Sequence, residues 1–230
     1  MMTSEQITKI DKLEKAFTPT QPIFFPDFLA GRSGLLFKVK DRVRTPGLHV
    51  ILYGERGAGK TSIARVLSYL LQEPDEPRGL RSIFVGCTSS DDYSSIWDKV
   101  AQEILLSQKQ LGFMQQDYAT ITGRVDLANV KQPNDARLFV QSLPNPSIII
   151  MDEFDRVPTN NSTRRLMADT IKLFSDTNTK STLIIVGVAE SISELFAEHQ
   201  SITRNIDEIH VELMTIVELR EIIKKGYNRL

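Results

Sequence analysis

The stretch GERGAGKT, residues 54–61, has the spacing of a phosphate-binding loop. It fits the pattern G-x-x-x-x-G-K-[ST], with Gly54, Gly59, Lys60 and Thr61 at the defining positions. Glycines let backbone N–H groups converge on phosphate oxygens, and the helix that opens after the loop adds the positive end of its dipole. The lysine would neutralise the β- and γ-phosphates, and the threonine hydroxyl would coordinate Mg²⁺. The stretch therefore predicts a nucleotide-binding strand, loop and helix; the alternative is a glycine-rich turn without a ligand.

The residues predicted to bind the nucleotide form one continuous segment. They are Gly54, Glu55, Arg56, Gly57, Ala58, Gly59, Lys60, Thr61 and Ser62. Lys60 is also predicted to act in catalysis, because its charge lies where the terminal phosphate is cleaved.

A second motif, IIIMDEFD at residues 148–155, ends an apolar strand with carboxylates. In open α/β sheets, nucleotides bind at the carboxyl ends of the strands. Asp152 is predicted to hold Mg²⁺ through water, and Glu153 to orient and deprotonate the attacking water. The alternative is an anionic cluster on the loop that follows. No role is assigned to Asp155 or Arg156, which are expected to be solvated.

Alternating strand-length and helix-period segments predict an α/β fold, a parallel sheet covered by helices on both faces. The predicted strands are residues 48–53, 82–87, 147–151, 182–187 and 208–213, the last at a sheet edge because its pattern alternates. Helices are predicted at 60–71, 94–106, 134–143 with Asn134 as its cap, after the third strand and, briefly, after the fourth. Trp97 is assigned to the core.

The segment TIVELREIIKKG predicts a C-terminal helix. Thr215 and Glu218 have capping-box spacing, and Gly226 is expected to end the helix. A lone helix after an edge strand indicates the start of a small helical domain, truncated in this chain. The predicted organisation is an N-terminal arm over 1–26, a nucleotide-binding core over 27–213, and the first lid helix over 214–230.

The overall composition and charge do not indicate a binding partner. The formal charge of −1 and the pI near 6.3 give no overall attraction to nucleic acid or anionic lipid. The single Cys87 excludes an internal disulfide, and no apolar run is long enough to span a bilayer. We expect a cytoplasmic protein without a membrane partner. The basic cluster FKVKDRVR at 37–44 could touch DNA, but a solvated helix face is the preferred interpretation, since no aromatic residue is interleaved.

With these motifs the chain resembles the AAA+ ATPases, and more narrowly the origin-recognition-like group. The phosphate loop after the first strand, DE at the end of the third, FLAGR at 28–32 and CTSSDDYSSIWDKVAQEI at 87–104 carry the resemblance. It implies the AAA+ large domain of the P-loop NTPases, with a five-stranded parallel sheet, and ATP with Mg²⁺ as cofactors. It also implies that Gly31 and Arg32 lie near the adenine.

Two further features are implied by the same resemblance. The fourth strand should end in a polar residue that contacts the γ-phosphate, and in VGVAES, residues 186–191, Glu190 or Ser191 would have to serve. The segment EHQSITRNI, 198–206, resembles the one that carries an arginine finger, which makes Arg204 the candidate to reach a neighbouring subunit's nucleotide. The alternative is a surface ion pair of Arg204 with Asp207 or Glu208.

The implied function is an ATP-hydrolysing homo-oligomer that remodels or loads a protein or DNA partner, with no small-molecule substrate besides ATP. A nucleotide-dependent signalling switch or DNA-loading scaffold with slow hydrolysis is the alternative, favoured by the unusual end of the fourth strand. A small-molecule phosphotransferase would explain neither Glu153 nor the arginine-finger segment. Partner choice is expected to depend on the polar excursion at 108–133 or on sequence beyond this chain.

Overall fold

The computed structural model of the 230-residue chain describes residues 13, 17, 21–72, 81–110, 130–160, 162–196 and 200–229. The elements in chain order are α1 (Ser33–Arg42), β1 (His49–Gly54), α2 (Lys60–Leu70), β2 (Arg81–Gly86), α3 (Tyr93–Gln110), α4 (Pro133–Ser142), β3 (Ser147–Asp152), α5 (Thr163–Asp176), β4 (Thr182–Val188), α6 (Ile192–Leu195), β5 (Ile206–His210) and α7 (Ile216–Tyr227). Short 3₁₀ helices span Pro26–Phe28, Phe154–Arg156 and Gln200–Asn205. Within these ranges no helix is long and apolar enough to cross a membrane.

The five strands form one sheet in the order β2-β3-β4-β1-β5, and every neighbouring pair is parallel. Strand β4 lies between β1, which leads into the phosphate loop, and β3, which ends at Asp152. Because all five strands run in the same direction, their carboxyl ends meet at one edge of the sheet. The predicted α/β fold with a five-stranded parallel sheet is confirmed.

Two hydrophobic clusters cover the two faces of the sheet. Strand β3 contributes Ile149 and Met151 to one cluster and Ile148 and Ile150 to the other. A strand buried on both faces needs apolar residues at every position, which explains its unbroken apolar run. Trp97 is fully buried in the first cluster, as predicted.

Strand β5 differs from its predicted bounds of 208–213. It pairs only with β1, so its edge position is confirmed, but it ends at His210. The Val211 N–H still donates to the Tyr53 carbonyl at 2.7 Å, whereas the side chain of Leu213 is 51% exposed. The apolar alternation of the sequence therefore continues past the end of the paired strand. Leu213 fits that pattern but does not face the core.

Two predicted helix ends were wrong. Helix α4 is capped by Gln132, with Pro133 in the first turn, while the Asn134 side chain accepts hydrogen bonds from Arg137 instead. Helix α7 has the predicted capping box of Thr215 and Glu218 but continues through Gly226. A Cβ at that glycine would lie 2.1 Å from the Phe17 ring, so close packing, and not a helix end, accounts for the glycine. Most of the predicted excursion at 108–133, residues 111–129, lies outside the described residues.

His49, at the start of β1, predicts a pH-dependent stability. It is buried, its Nδ1 accepts the Leu183 N–H at 2.9 Å, and burial lowers its pKa from 6.5 to about 4. The unfolded chain takes up a proton near pH 6.5 and the folded chain does not. The free energy of unfolding should therefore fall as the pH drops from about 6.5 to about 4, by about 3 kcal/mol in total.

Urea unfolding at a series of pH values measures this effect. His49→Asn removes the titrating group and should flatten that part of the pH profile, whereas His210→Asn, at an exposed position of β5, should keep the wild-type profile. An equal slope in wild type and His49→Asn would assign the acid sensitivity to other groups.

Candidate functional site

The phosphate loop connects β1 to α2 at the carboxyl edge of the sheet. Gly57 and Gly59 have φ angles of 87° and 88°, which residues with a side chain rarely adopt. A Cβ at Gly54 would lie 2.3 Å from the Val211 carbonyl oxygen, so the loop begins in close contact with the chain that follows β5. Each of these glycines therefore has a conformational or steric reason, and the loop leads directly into the first turn of α2.

Lys60 lies at the centre of this loop. Its side chain is 7% exposed, and its Nζ donates to the carbonyls of Gly54 at 2.8 Å and Glu55 at 2.7 Å. Burial lowers the pKa of its ammonium group, while the carboxylates of Asp155 and Asp152 act in the opposite direction. The cation is thus held inside the loop by carbonyls that phosphate oxygens can replace.

Thr61 and Asp152 form an oxygen pair beside the loop. The Thr61 hydroxyl hydrogen-bonds to the Asp152 carboxylate, whose Oδ1 also accepts the Glu153 N–H at 2.9 Å. Burial raises the pKa of Asp152, and these hydrogen bonds lower it. Hydroxyl and carboxylate oxygens are the ligands that Mg²⁺ prefers, and Mg²⁺ is commonly bound by few protein oxygens together with substrate phosphates. The two residues fit the predicted metal site.

Glu153 adopts a left-handed conformation, with φ 56° and ψ 35°. This conformation is uncommon for a residue with a side chain and turns the chain sharply after β3. Asp152 is consequently buried against Thr61, while Glu153 is half-exposed and pairs with Arg156 at 2.7 Å. The two acids face different partners, which does not fit the alternative of a simple anionic cluster.

A cleft of about 460 Å³ brings these groups together at the carboxyl edge. It is lined by Pro22, Arg56, Gly57, Gly59, Lys60, Thr61, Ser62, Asp152, Glu153, Asp155, Arg156, Gly187 and Val188. Six of the nine predicted loop residues therefore share one cavity with the carboxylates of Asp152, Glu153 and Asp155. Glu55 contributes its carbonyl to Lys60, and Ala58 is buried beneath the loop.

The expectation that Asp155 and Arg156 are solvated is correct for Arg156, which is exposed, and wrong for Asp155, which is partly buried. Asp155 Oδ1 accepts the Val188 N–H at 2.8 Å, and its backbone carbonyl accepts from Arg164 Nη2 at 2.8 Å. Arg156 pairs with Glu153. No sequence signal pointed to Asp155, because its partner Val188 lies 33 residues away on a neighbouring strand.

Gly31 and Arg32 contact α7 and do not line this cleft. Arg32 Nη2 donates to the Glu212 carbonyl at 2.6 Å, and its Nε lies 3.6 Å from Glu218 Oε1. A Cβ at Gly31 would lie 2.6 Å from the Glu218 Cβ. Lys225 Nζ also reaches the Leu29 carbonyl, at 2.7 Å. The FLAGR segment is therefore bound to the C-terminal helix, and its role beside the adenine stays a prediction.

Arg204 is exposed in the 3₁₀ helix Gln200–Asn205. Among the described side chains it forms no ion pair with Asp207 or Glu208, and Asp207 instead pairs with Arg42 at 2.9 Å. The geometry gives no support to the ion-pair alternative.

Glu190 and Ser191 do not line the cleft either. The Glu190 N–H donates to Glu194 Oε2 at 3.0 Å, and the Ser191 hydroxyl bonds that of Ser193 at 2.7 Å. The end of β4 enters the cleft through Gly187 and Val188, which offer no polar side chain. The two residues expected to contact the γ-phosphate from the end of the fourth strand therefore lie outside the cleft.

A larger groove of about 550 Å³ lies along the free edge of β2, away from the phosphate loop. Gln72 Nε2 donates to the Ser82 carbonyl at 3.2 Å, and Lys99 Nζ to the Gly86 carbonyl at 3.0 Å. These side chains satisfy carbonyls that an added strand would use, as natural edge strands commonly require. This groove has the larger volume, but the residues predicted to bind phosphate line the smaller cleft.

A five-stranded parallel sheet with a glycine-rich loop between its first strand and helix defines a P-loop NTPase fold. A sequence model of the AAA domain family matches residues 43–196. The chain therefore belongs to the AAA domain family, which confirms the resemblance to AAA+ proteins.

Solved structures share this fold. The ORC1 protein of Aeropyrum pernix in complex with DNA has a TM-score of 0.63 and 17% identity over 93% of this chain and 52% of that one. The Walker-type ATPase of Pyrococcus abyssi has a TM-score of 0.63 and 14% identity over 93% and 62%. The ORC2 protein of A. pernix, in ADPNP and ADP complexes, has a TM-score of 0.62 and 12% identity over 94% and 55%. This chain thus spans 52–62% of their lengths. A search of curated proteins gives no match.

Proposed function

We propose that this chain binds ATP together with Mg²⁺ and hydrolyses it. The observation that carries the proposal is the shared cleft, in which the phosphate loop, the buried Lys60, the Thr61–Asp152 oxygen pair and Glu153 meet at the carboxyl edge of the sheet. This combination supplies a phosphate cradle, a cation, metal ligands and a base within one cavity. A switch that only bound nucleotide would have no use for the base.

Each residue has a defined task. The loop N–H groups bind the phosphates, and Lys60 exchanges its two carbonyl partners for phosphate oxygens. Thr61 and Asp152 would hold Mg²⁺, which would supply neutralisation of the charge on the phosphates. Glu153 accepts a proton from the attacking water, and for this it must leave its exposed ion pair with Arg156.

The proposal includes assembly into a homo-oligomer whose subunits complete one another's sites. Arg204 is exposed and has no acidic partner in Asp207 or Glu208, as a residue that reaches a neighbouring copy requires. ATP turnover per subunit should therefore rise with protein concentration. Arg204→Ala should lower turnover at high concentration by about 10³-fold or more, because an arginine supplied in trans contributes roughly 10³–10⁵ in rate.

Steady-state turnover and sedimentation, measured over the same concentration range, test this proposal. Arg220→Ala, at an exposed position of α7, is the matched control and should behave as wild type. Turnover that is independent of concentration and equal in Arg204→Ala would exclude a shared site while leaving ATP hydrolysis itself intact.

A second function, a nucleotide-dependent switch or DNA-loading scaffold with slow hydrolysis, is favoured by one observation. Strand β4 brings only Gly187 and Val188 into the cleft, without a polar side chain to position water. Tight ATP binding with turnover near background, at all concentrations, would favour the switch.

The partner is proposed to be a protein or DNA. The similar fold of the A. pernix ORC1 protein, solved in complex with DNA, supports testing DNA first. In the basic cluster 37–44, Arg42 is already paired with Asp207. The positive charge that this cluster offers to DNA is therefore smaller than the sequence suggests. We also propose that 27–213 forms the nucleotide-binding core, with 1–26 as an arm and α7 as the first helix of a lid.

A further inference from the structure

Asp155 is a third carboxylate in the cleft, and the fold fixes its position from two sides. It belongs to the 3₁₀ helix Phe154–Arg156 that follows β3. Its Oδ1 accepts the Val188 N–H at 2.8 Å, and its carbonyl accepts from Arg164 Nη2 at 2.8 Å. A Cβ at Gly187 would lie 3.3 Å from the Asp155 nitrogen and 3.4 Å from Oδ1. The absence of a side chain at Gly187 therefore lets the carboxylate lie against the end of β4.

The carboxyl end of β4 lies at the centre of the proposed ATP site. Because β4 lies between β1 and β3, its carboxyl end falls between the phosphate loop and Asp152. The two β4 residues that line the cleft, Gly187 and Val188, have no polar side-chain atom, and Asp155 brings one there from the 3₁₀ helix that follows β3. Its negative charge also acts on the Lys60 ammonium across the cleft.

Asp155 differs from Asp152 and Glu153 in its bonding partners. Asp152 is engaged by Thr61, and Glu153 pairs with Arg156 in solvent. Asp155 is half-buried. Its carboxylate accepts the backbone N–H of Val188, and Arg164 donates to its backbone carbonyl. Asp155 forms no ion pair within 4 Å among the described side chains, and its negative charge acts on the Arg164 guanidinium and on the Lys60 ammonium.

We propose that Asp155 is a positioning residue of the ATP site: it anchors the end of β4 in the cleft, and its charge orients Lys60 and the attacking water. The inference rests on the proposed ATP hydrolysis and deepens it. A fixed negative charge near the terminal phosphate opposes the bound triphosphate before reaction and accepts a hydrogen bond from water during reaction. Removing the charge should therefore tighten ATP binding and slow turnover, a pairing that loss of ordinary structure does not produce.

Asp155→Asn separates charge from structure, because the amide oxygen can still accept the Val188 N–H. We expect Asp155→Asn to bind ATP three- to tenfold more tightly, with kcat lowered at least tenfold and KM lowered as well. Asp155→Ala also loses the hydrogen bond and should lower the thermal midpoint by about 2–4 °C. Asp176→Asn, at an exposed acid at the end of α5, should match wild type in all respects.

A readout without nucleotide keeps the test independent of the proposed function. Hydrogen exchange of the Val188 N–H, measured in the protein without nucleotide, reports whether the Asp155 carboxylate holds the end of β4. This exchange should be at least tenfold faster in Asp155→Ala than in wild type, and close to wild type in Asp155→Asn, whose amide oxygen still accepts the N–H.

If wild type binds no ATP or shows no turnover, the proposed function fails, and hydrogen exchange of the Val188 N–H alone decides whether Asp155 anchors the end of β4. Exchange in Asp155→Ala that equals wild type overturns the inference in that case. Where wild type is active, Asp155→Asn with wild-type kcat and ATP affinity overturns the inference and reduces Asp155 to a structural bond.

Discussion

Replacing Lys60 with alanine is expected to weaken ATP binding by at least 100-fold. Its ammonium is buried in the loop and donates to two carbonyls, so its loss removes the buried positive charge of the phosphate cradle and leaves both carbonyls without this donor. Hydrogen bonds to charged groups each contribute about 1.5–3 kcal/mol, and about 1.4 kcal/mol corresponds to a factor of ten in the dissociation constant. Titration calorimetry with ATP and Mg²⁺ measures the change.

Lys99→Ala is the matched control for this substitution. Lys99 is also a partly buried lysine that donates to a backbone carbonyl, that of Gly86, but it lies at the edge of β2 outside the cleft. It should retain the wild-type ATP affinity. If Lys60→Ala bound ATP as tightly as Lys99→Ala, the cleft would not be the phosphate site.

Replacing Glu153 with glutamine is expected to lower kcat by about 10²–10⁴-fold while ATP binding stays within severalfold of wild type. Glutamine keeps the size and hydrogen-bonding capacity of the side chain but cannot accept the proton of the attacking water, and general-base catalysis contributes about this factor. Single-turnover measurement of phosphate release separates the chemical step from product release.

Glu103→Gln, on an exposed position of α3, removes one negative charge far from the base position and should leave kcat unchanged. Equal turnover in Glu153→Gln and wild type would mean that another group activates the water, and Asp155 would then be the first candidate. A protein that loses turnover but retains its effect on a partner would support the switch over the remodelling enzyme.

The fold and much of the site could be predicted from local sequence, because their determinants are local. Gly57, Gly59 and Lys60 lie close together in the sequence, and a Cβ at either glycine would meet no distant atom within 4 Å, so their pattern is a local one. Strand β3 likewise reveals its burial through an unbroken apolar run. Asp152 follows from its place at the end of that strand. These features need no knowledge of strand order.

What could not be predicted depends on contacts between distant segments. The tasks of Asp155 and of Gly187 arise because β4 is inserted next to β3, which chain order does not reveal. Gly226 has the appearance of a helix end, but it is required by packing against Phe17, more than 200 residues earlier. The Arg32 guanidinium likewise contacts Glu212 and Glu218, which lie 180 or more residues later in the sequence.

The contacts between segment 27–32 and the C-terminal helix carry a consequence for the order of folding. The hydrogen bonds of Arg32, Lys225 and Arg229 close loops of 180, 196 and 202 residues, and each needs the sheet to be assembled first. We expect these contacts to form last and to open first, as one cooperative unit of low local stability. Because the Ile23 N–H is bonded to Ser62 beside the phosphate loop, at 3.2 Å, the same local unfolding would uncover one wall of the nucleotide site. The lifetime of a bound nucleotide would then depend on local unfolding of segment 27–32 and α7 as much as on the loop that binds its phosphates.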